Sequence, residues 1–328
     1  MRELWLVDID PERLEIVGGF VRRMVAAAGN PFAVELTDDY KQAVAGASYV
    51  VTQLRVGKMP ARREDEYLGK RHGLIGQETT GVGGMAKALR TIPVVRAIAA
   101  EMHRVSPAAV LANFTNPAGL VTQALTDVLP HGQGIGVCNV PITTRMSIIK
   151  RLEKMTGTKI DPARTQLNTL GLNHLSWHRG FTLDGEDMWG QVLEDTVKEL
   201  RAQKEPEWDP EWIEKNRLIP NYYLQYYYYT DHKLAAQEKW PPSRAEDVME
   251  IEKRLLAEYA EPDRTKPPED LMKRGGAYYS TAATQLIAAH HAGKGEVHVI
   301  NIAHNGAVEG WPKEWVLEMP VNVSRGKV

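Results

Sequence analysis

The chain has one cysteine, Cys138, and it lies in the stretch GIGVCNVP, at the end of an apolar run and before an Asn-Val-Pro turn. A second unusual stretch, GLNHLSW, presents His174 in a similarly apolar setting. Taken singly, a lone cysteine or histidine of this kind reads as packed core. Taken together, a thiolate and an imidazole are half of a transition-metal site, and two protein ligands leave positions open for substrate oxygens. A structural zinc site needs four protein ligands, which the sequence does not offer.

A third element, RVGKMPARREDE, carries Arg55, Arg62 and Arg63 in a loop after a predicted strand. Arginine clusters either solvate a surface or hold phosphate through bidentate, charge-assisted contacts. The glycine-rich run that follows, GLIGQETTGVGG, lacks the Gly-Lys-Ser/Thr ending of a Walker loop. In NFTNPAG a strand leads into a helix through Pro117, with Asn113 and Asn116 available to bind hydroxyls or an amide, and KRGGAYYS and HNGA are further glycine-tight turns.

These groups need a scaffold, and the flanking pattern predicts it. LWLVDID reads as a strand closed by Asp8, and PERLEIVGGFVRRMVAAAG as a helix with Pro11 in its first turn and Gly29 after its last. Strand-like and helical runs then alternate, with helices near 61–72 and 86–104, as far as GIGVCN. That alternation predicts an α/β, Rossmann-like, doubly wound parallel sheet over residues 1–160. In such a sheet Cys138 falls at the carboxyl edge, where open α/β folds bind ligands, and a strand-end acid such as Asp8 suits an adenosine ribose. Beyond residue 160 an Asp-Gly turn within a β-rich run predicts antiparallel strands. A helical, aromatic region over 190–262 holds the tyrosine cluster NYYLQYYYYTD, and two strands, EVHVINI and WVLEMPVNV, finish a mixed α+β domain over 161–328.

With 328 residues, 43% hydrophobic and 25% charged, and a net charge of −2, the composition is that of an ordinary globular protein with no basic excess to attract nucleic acid or anionic lipid. A single cysteine makes no internal disulfide, no signal peptide opens the sequence, and no apolar run approaches the roughly 18 to 20 residues of a membrane span. The expected location is the cytoplasm, with neither nucleic acid nor membrane as a partner.

In order along the chain, LWLVDID, RVGKMPARREDE, GLIGQETTGVGGMAKALRTIPV, NFTNPAG, GVCNVP, GLNHLSW, KRGGAYYS and HNGA resemble glycoside hydrolase family 4, most closely its 6-phospho-β-glucosidase branch. The resemblance implies an architecture shared with lactate and malate dehydrogenases, and it implies NAD⁺ and a divalent metal, usually Mn²⁺, as cofactors. Such enzymes depart from two-carboxylate glycoside hydrolysis. The sugar is oxidised at C3, a tyrosine removes the acidified C2 proton, the C1 oxygen leaves by elimination, water adds, and hydride returns to C3.

By the same resemblance Cys138 and His174 are the metal ligands, and the base is Tyr227, with Tyr226 and Tyr228 as alternatives. Arg62 holds the 6-phosphate, Asn116, Asn139 and Glu78 contact sugar hydroxyls, and Arg274 lies in a substrate-side turn. Asp8, Gln53 and Asn116 fall on the cofactor side. Asparagine at 139 fits β-glucosides, since the α-acting branch tends to carry aspartate there. The substrate implied is a phosphorylated disaccharide or aryl glycoside, and the assembly a homodimer or homotetramer.

Two further expectations accompany this reading. The family's first strand and glycine-rich phosphate turn are not found in the sequence ahead of Met1, nor is its helical C-terminal segment after VNVSRGKV, so the 328-residue chain by itself is expected to bind NAD⁺ weakly. The alternatives are accordingly a catalytically impaired relative that keeps the substrate and metal residues, and a lactate- or malate-type dehydrogenase, which would need neither Cys138 nor a metal.

Overall fold

Asp10 accepts the Arg13 amide hydrogen and Pro11 takes the first helical position, so the helix α1 (Pro11–Ala27) starts directly behind the strand β1 (Glu3–Val7). The computed structural model describes residues 1–275, 278–293 and 295–325. After α1 come β2 (Ala33–Thr37), α2 (Tyr40–Val44), β3 (Tyr49–Thr52), α3 (Lys58–Arg71) and α4 (Gly81–Val105). They are followed by β4 (Val110–Asn113), α5 (Ala118–Leu125), β5 (Gly134–Gly136) and α6 (Asn139–Thr156). The antiparallel strands β6 (Thr165–Leu172), β7 (Leu175–Leu183) and β8 (Glu186–Asp187) come next, then α7 (Trp189–Arg201), α8 (Pro210–Asn216) and β9 (Ile219–Pro220). The short helices α9 (Gln225–Tyr228) and α10 (Thr230–Gln237) precede α11 (Arg244–Ala260), α12 (Leu271–Arg274) and α13 (Tyr279–Ala292), and β10 (Glu296–Ala303) and β11 (Val316–Val323) close the fold.

The strands form two sheets. β1 and β2 pair in parallel by themselves, and the others run in the order β3-β4-β5-β10-β11-β6-β7-β8, with β9 beside β7. β4 and β5 are parallel; from β5 onward the pairing is antiparallel. The parallel strands with flanking helices and the antiparallel strands beyond residue 160 are those of the expected Rossmann-like α/β fold with a mixed α+β part, and among the described strands β1 pairs with β2 alone.

Two compact units result, each discontinuous in sequence: Met1–Val50 with Leu54–Val110 and Leu234–Ala277, and Val51–Gln53 with Leu111–Lys233 and Tyr278–Val328. In the first, α11 returns to α1, where Phe20 stacks on Tyr259 with ring centroids 4.6 Å apart and Arg13 pairs with Glu252. In the second, Ile148, Ile149 and Leu152 of α6, Leu167 and Phe181 of the β6–β7 hairpin, Val192 and Leu193 of α7 and Ile213 of α8 close one apolar core.

Two helices start earlier than the sequence predicts. α3 begins at Lys58, which places Arg62 and Arg63 on a helix rather than in a loop. α4 begins at Gly81, its first turn hidden by glycines of poor helix propensity. Gly276 and Ala277 of the KRGGAYYS motif lie outside the described residues. Among the described residues no helix is long and apolar enough to cross a membrane.

Candidate active site

β5 ends just before Cys138, which caps α6 and is buried. Gly136 makes this possible, since a Cβ there would lie 2.1 Å from Thr122 Oγ1 and 2.8 Å from Asn301 Cβ on the neighbouring β10. The Val140 and Asn139 amides at the start of α6 and the Asn173 side chain each favour the thiolate form of Cys138. Burial pushes the thiol up to about 12, and the charge of Glu318 adds to that; the N–H donors offset only part of it. A bound dication would displace the proton and stabilise the thiolate.

Asn173 and His174 are the two residues of the turn joining β6 to β7, where Leu172 faces Leu175. His174 adopts φ 66, a left-handed conformation rare for histidine, and is nevertheless buried at 3% exposure. Gly171 has φ 150, and a Cβ on it would sit 2.3 Å from the Leu175 carbonyl oxygen, so the GLNH run needs its glycine to close the hairpin. The turn thereby sets Asn173, which favours the Cys138 thiolate, immediately beside His174. Among the described residues no group of three or more His, Cys, Asp and Glu could hold a metal. A sulfur and an imidazole nitrogen with the remaining positions open to oxygen ligands is a donor set that fits a first-row divalent cation acting on substrate.

The tyrosine cluster is sorted by its packing. Asn221 donates its amide to the Ser176 carbonyl at 2.9 Å and accepts the Tyr223 amide at 3.1 Å, which starts a short 3₁₀ turn. Tyr223 is thereby laid flat on His174, ring centroids 3.7 Å apart and planes 3° from parallel. Tyr226 lies next to Tyr223 at 6.1 Å, and the Lys233 ammonium lies over the Tyr222 and Tyr226 rings at 5.7 and 5.8 Å. Tyr228 packs edge-on against Trp208 and Trp212. Tyr227, chosen by alignment as the base, is 51% exposed, and burial alone raises its phenol. Of these tyrosines, the one stacked on the histidine is Tyr223.

In the other unit three of the residues assigned to substrate, Arg62, Glu78 and Arg274, belong to a charged region, whereas Asn116 and Asn139 lie in the same unit as Cys138. The buried Glu78 carboxylate is paired with Lys87 at 2.6 Å, with Arg62 at 3.2 Å and with Arg55. Burial opposes its charge, but Lys87, Arg55 and Arg62 outweigh it and hold the acid well below the usual carboxylate range. Burial lowers Lys87 to about 8 despite its partner. Arg62 also donates its Nε to Glu66 at 2.9 Å, so two of its nitrogens serve carboxylates. Arg274 is lowered chiefly by burial, and the charges of Arg55, Arg13 and Arg62 act on it in the same direction. Arg55, Arg62 and Lys87 thus gather positive charge around the Glu78 carboxylate, and Arg274 feels the same arginines while Glu252 opposes them. Arg63 points elsewhere, toward Glu64, Glu246 and the Tyr67 ring.

The cofactor-side residues stand at strand ends. Asp8 follows β1; one oxygen accepts the Asp10 amide at 3.0 Å and the other lies 3.3 Å from Arg13 Nε. A carboxylate has about four acceptor directions, so room remains for a ribose hydroxyl, and the residue fits that role. Gln53 is exposed after β3, and Asn139, half-buried, opens α6. Asn116 precedes α5 and accepts the Ala118 amide at 3.2 Å. Asn113, expected to be available to a ligand, is consumed internally: it accepts Thr52 Oγ1 at 2.8 Å and the Thr115 amide at 3.1 Å.

Sequence reading missed Lys87, Asn173, Tyr223 and Glu318. An acid between leucine and methionine in WVLEMPVNV, and a lysine in the otherwise small and apolar GGMAKAL, were the signals available for two of them.

Residues 1–154 match the family described as family 4 glycosyl hydrolase, and residues 169–328 match the family 4 glycosyl hydrolase C-terminal domain. A probable 6-phospho-β-glucosidase of Bacillus subtilis is 39% identical over 97% of this chain and 73% of its own length. The 6-phospho-β-glucosidase of Thermotoga maritima, solved with manganese, NAD⁺ and glucose-6-phosphate, superposes with a TM-score of 0.89 at 37% identity, covering 100% of this chain and 75% of that one. A malate dehydrogenase from Aeropyrum pernix, 11% identical with a TM-score of 0.54 over 99% of this chain and 80% of its own, shares the fold alone. By sequence and by fold, this chain belongs to glycosyl hydrolase family 4.

Proposed function

We propose that the protein hydrolyses 6-phospho-β-glucosides, phosphorylated disaccharides or aryl glycosides, using NAD⁺ and a divalent metal, Mn²⁺ foremost. The observation that carries this reading is the assembly of Cys138, Asn173, His174 and Tyr223 around one hairpin turn. Cys138 and His174 would hold the dication, and Asp8, with Gln53 and Asn116, would contact the dinucleotide. When bound, the dinucleotide supplies hydride acceptance and return at C3 of the sugar, and the dication supplies electrostatic stabilisation of charge on O2 and O3.

The remaining work falls to side chains of this protein. Tyr223, rather than Tyr227, takes the C2 proton onto its phenolate oxygen. A free phenol has a pKa of about 10, so a base of this kind depends on positive charge close by, and the tyrosine stacked on a metal-binding histidine is the one placed to receive it. Asn139 donates to or accepts from sugar hydroxyls, and Glu78, kept ionised and fixed by its three cations, accepts from them. Arg274 and Arg62 supply the positive field for the 6-phosphate. Asparagine at position 139 favours the β-glucoside over the α. Release of aryl alcohol from an aryl 6-phospho-β-glucoside, compared with its α-anomer and with the unphosphorylated glucoside, tests the substrate: the phosphorylated β-anomer alone is expected to turn over, and equal use of all three contradicts the reading.

A further inference from the structure

Glu318 lies on β11 opposite Gly171 of β6 and is fully buried, at 0% exposure. It accepts two hydrogen bonds, from Asn173 Nδ2 at 3.0 Å and from Ser176 Oγ at 2.6 Å, and Asn301, its register partner on β10, also favours its charged form. Among the described residues no lysine or arginine acts on it. A buried carboxylate without a cationic partner is costly, and an apolar residue of similar volume would usually be more stable there. Its donors lead in two directions. Asn173 favours the Cys138 thiolate and directly precedes His174 in the turn. Ser176 accepts Asn221 Nδ2 at 3.2 Å, and Asn221 in turn fixes the Tyr223 amide under the ring that stacks on His174.

We propose that Glu318 is a positioning residue: through Asn173 it aims the Cys138–His174 pair at the metal, and through Ser176 and Asn221 it holds Tyr223 against His174. The inference rests on the metal-site reading above. A carboxylate suits this post because it only accepts, on two oxygens, whereas glutamine would turn an amide donor toward groups that are themselves donors. Partners that orient metal ligands in this way typically change metal affinity by about 10- to 100-fold when removed.

Binding of Mn²⁺ alone, followed by electron paramagnetic resonance of the free ion, tests it on the intact protein and on Glu318→Gln, Asn173→Ala, Ser176→Ala, the Glu318→Gln/Asn173→Ala double variant, Cys138→Ala and His174→Ala. Glu318→Gln and Asn173→Ala should each weaken Mn²⁺ binding by about 10- to 100-fold, and the double variant should be little worse than either, since both cut the same link. Ser176→Ala should keep Mn²⁺ affinity while slowing exchange of the substrate C2 proton. If Glu318→Gln does not fold, Asn173→Ala decides, as it cuts the link without altering the acid. Mn²⁺ affinity within twofold of the parent in Glu318→Gln and Asn173→Ala, or additive losses in the double variant, would overturn the proposal. If Cys138→Ala and His174→Ala retain Mn²⁺, the metal-site reading itself has failed.

Discussion

Tyr223 lies face to face with His174, the two rings 3.7 Å apart and 3° from coplanar, and this contact separates one tyrosine from a run of near-identical neighbours. If Tyr223 is the base, Tyr223→Phe should lose about 10²- to 10⁴-fold in turnover, the usual contribution of a positioned proton acceptor. Tyr227→Phe should stay within a few-fold of the parent, because its ring is half outside the protein. Steady-state rates on an aryl 6-phospho-β-glucoside distinguish the two.

Cys138→Ser replaces a soft sulfur by a hard oxygen in nearly the same volume. Mn²⁺ affinity and metal-dependent turnover should both collapse while the circular dichroism spectrum and unfolding midpoint remain close to those of the parent. Retained metal affinity in the serine variant would remove Cys138 from the ligand set.

Arg274 and Arg62 are expected to behave differently although both are proposed to serve the 6-phosphate. Arg274→Ala loses a charge-assisted contact worth about 1.5 to 3 kcal/mol, so KM for the phosphorylated substrate should rise by roughly 10- to 150-fold. Arg62→Ala leaves Glu66 and Glu78 buried with a partner missing, and should cost about 3 to 5 kcal/mol of stability in addition. Denaturant unfolding beside kinetics on the same two variants checks the contrast.

Glu78 also predicts a pH dependence. Its folded-state pKa is depressed below the ordinary 4.5 by Lys87, Arg55 and Arg62, so it stabilises the fold above that value and loses this contribution as pH falls toward the depressed one. Unfolding free energy measured downward from pH ~5 should therefore fall less steeply in Glu78→Gln than in the parent. Lys87 acts at the other end. Its folded pKa of about 8 lies below the free 10.5, so the unfolded chain binds more protons between them, and this lysine makes stability rise with pH over that window.

The alternation of strands and helices, the strand-end position of Cys138 and the antiparallel hairpin beyond residue 160 were all legible in the sequence, because each depends on local periodicity or on turn chemistry. The packing of α11 against α1 and α3 was not, since it depends on contacts between segments far apart in the chain. The tyrosine could not be singled out either: six tyrosines in eight positions offer the same chemistry, and only the bonds from Asn221 to Ser176 select Tyr223. Glu318 was obscured for a related reason. An acid in a strand ordinarily marks a solvated face, but β11 is flanked by β10 and β6, and the residue is covered completely.

By the proposed function, glycoside cleavage proceeds through loss of the C2 proton, with NAD⁺ and a divalent metal both required. Hydrolysis of an aryl 6-phospho-β-glucoside in D₂O, with NAD⁺ and Mn²⁺ each withheld in turn, measures it directly. Activity should need both cofactors, and the released glucose 6-phosphate should carry deuterium at C2. Cleavage that continues without either cofactor, or a product that keeps its original C2 hydrogen, would contradict it.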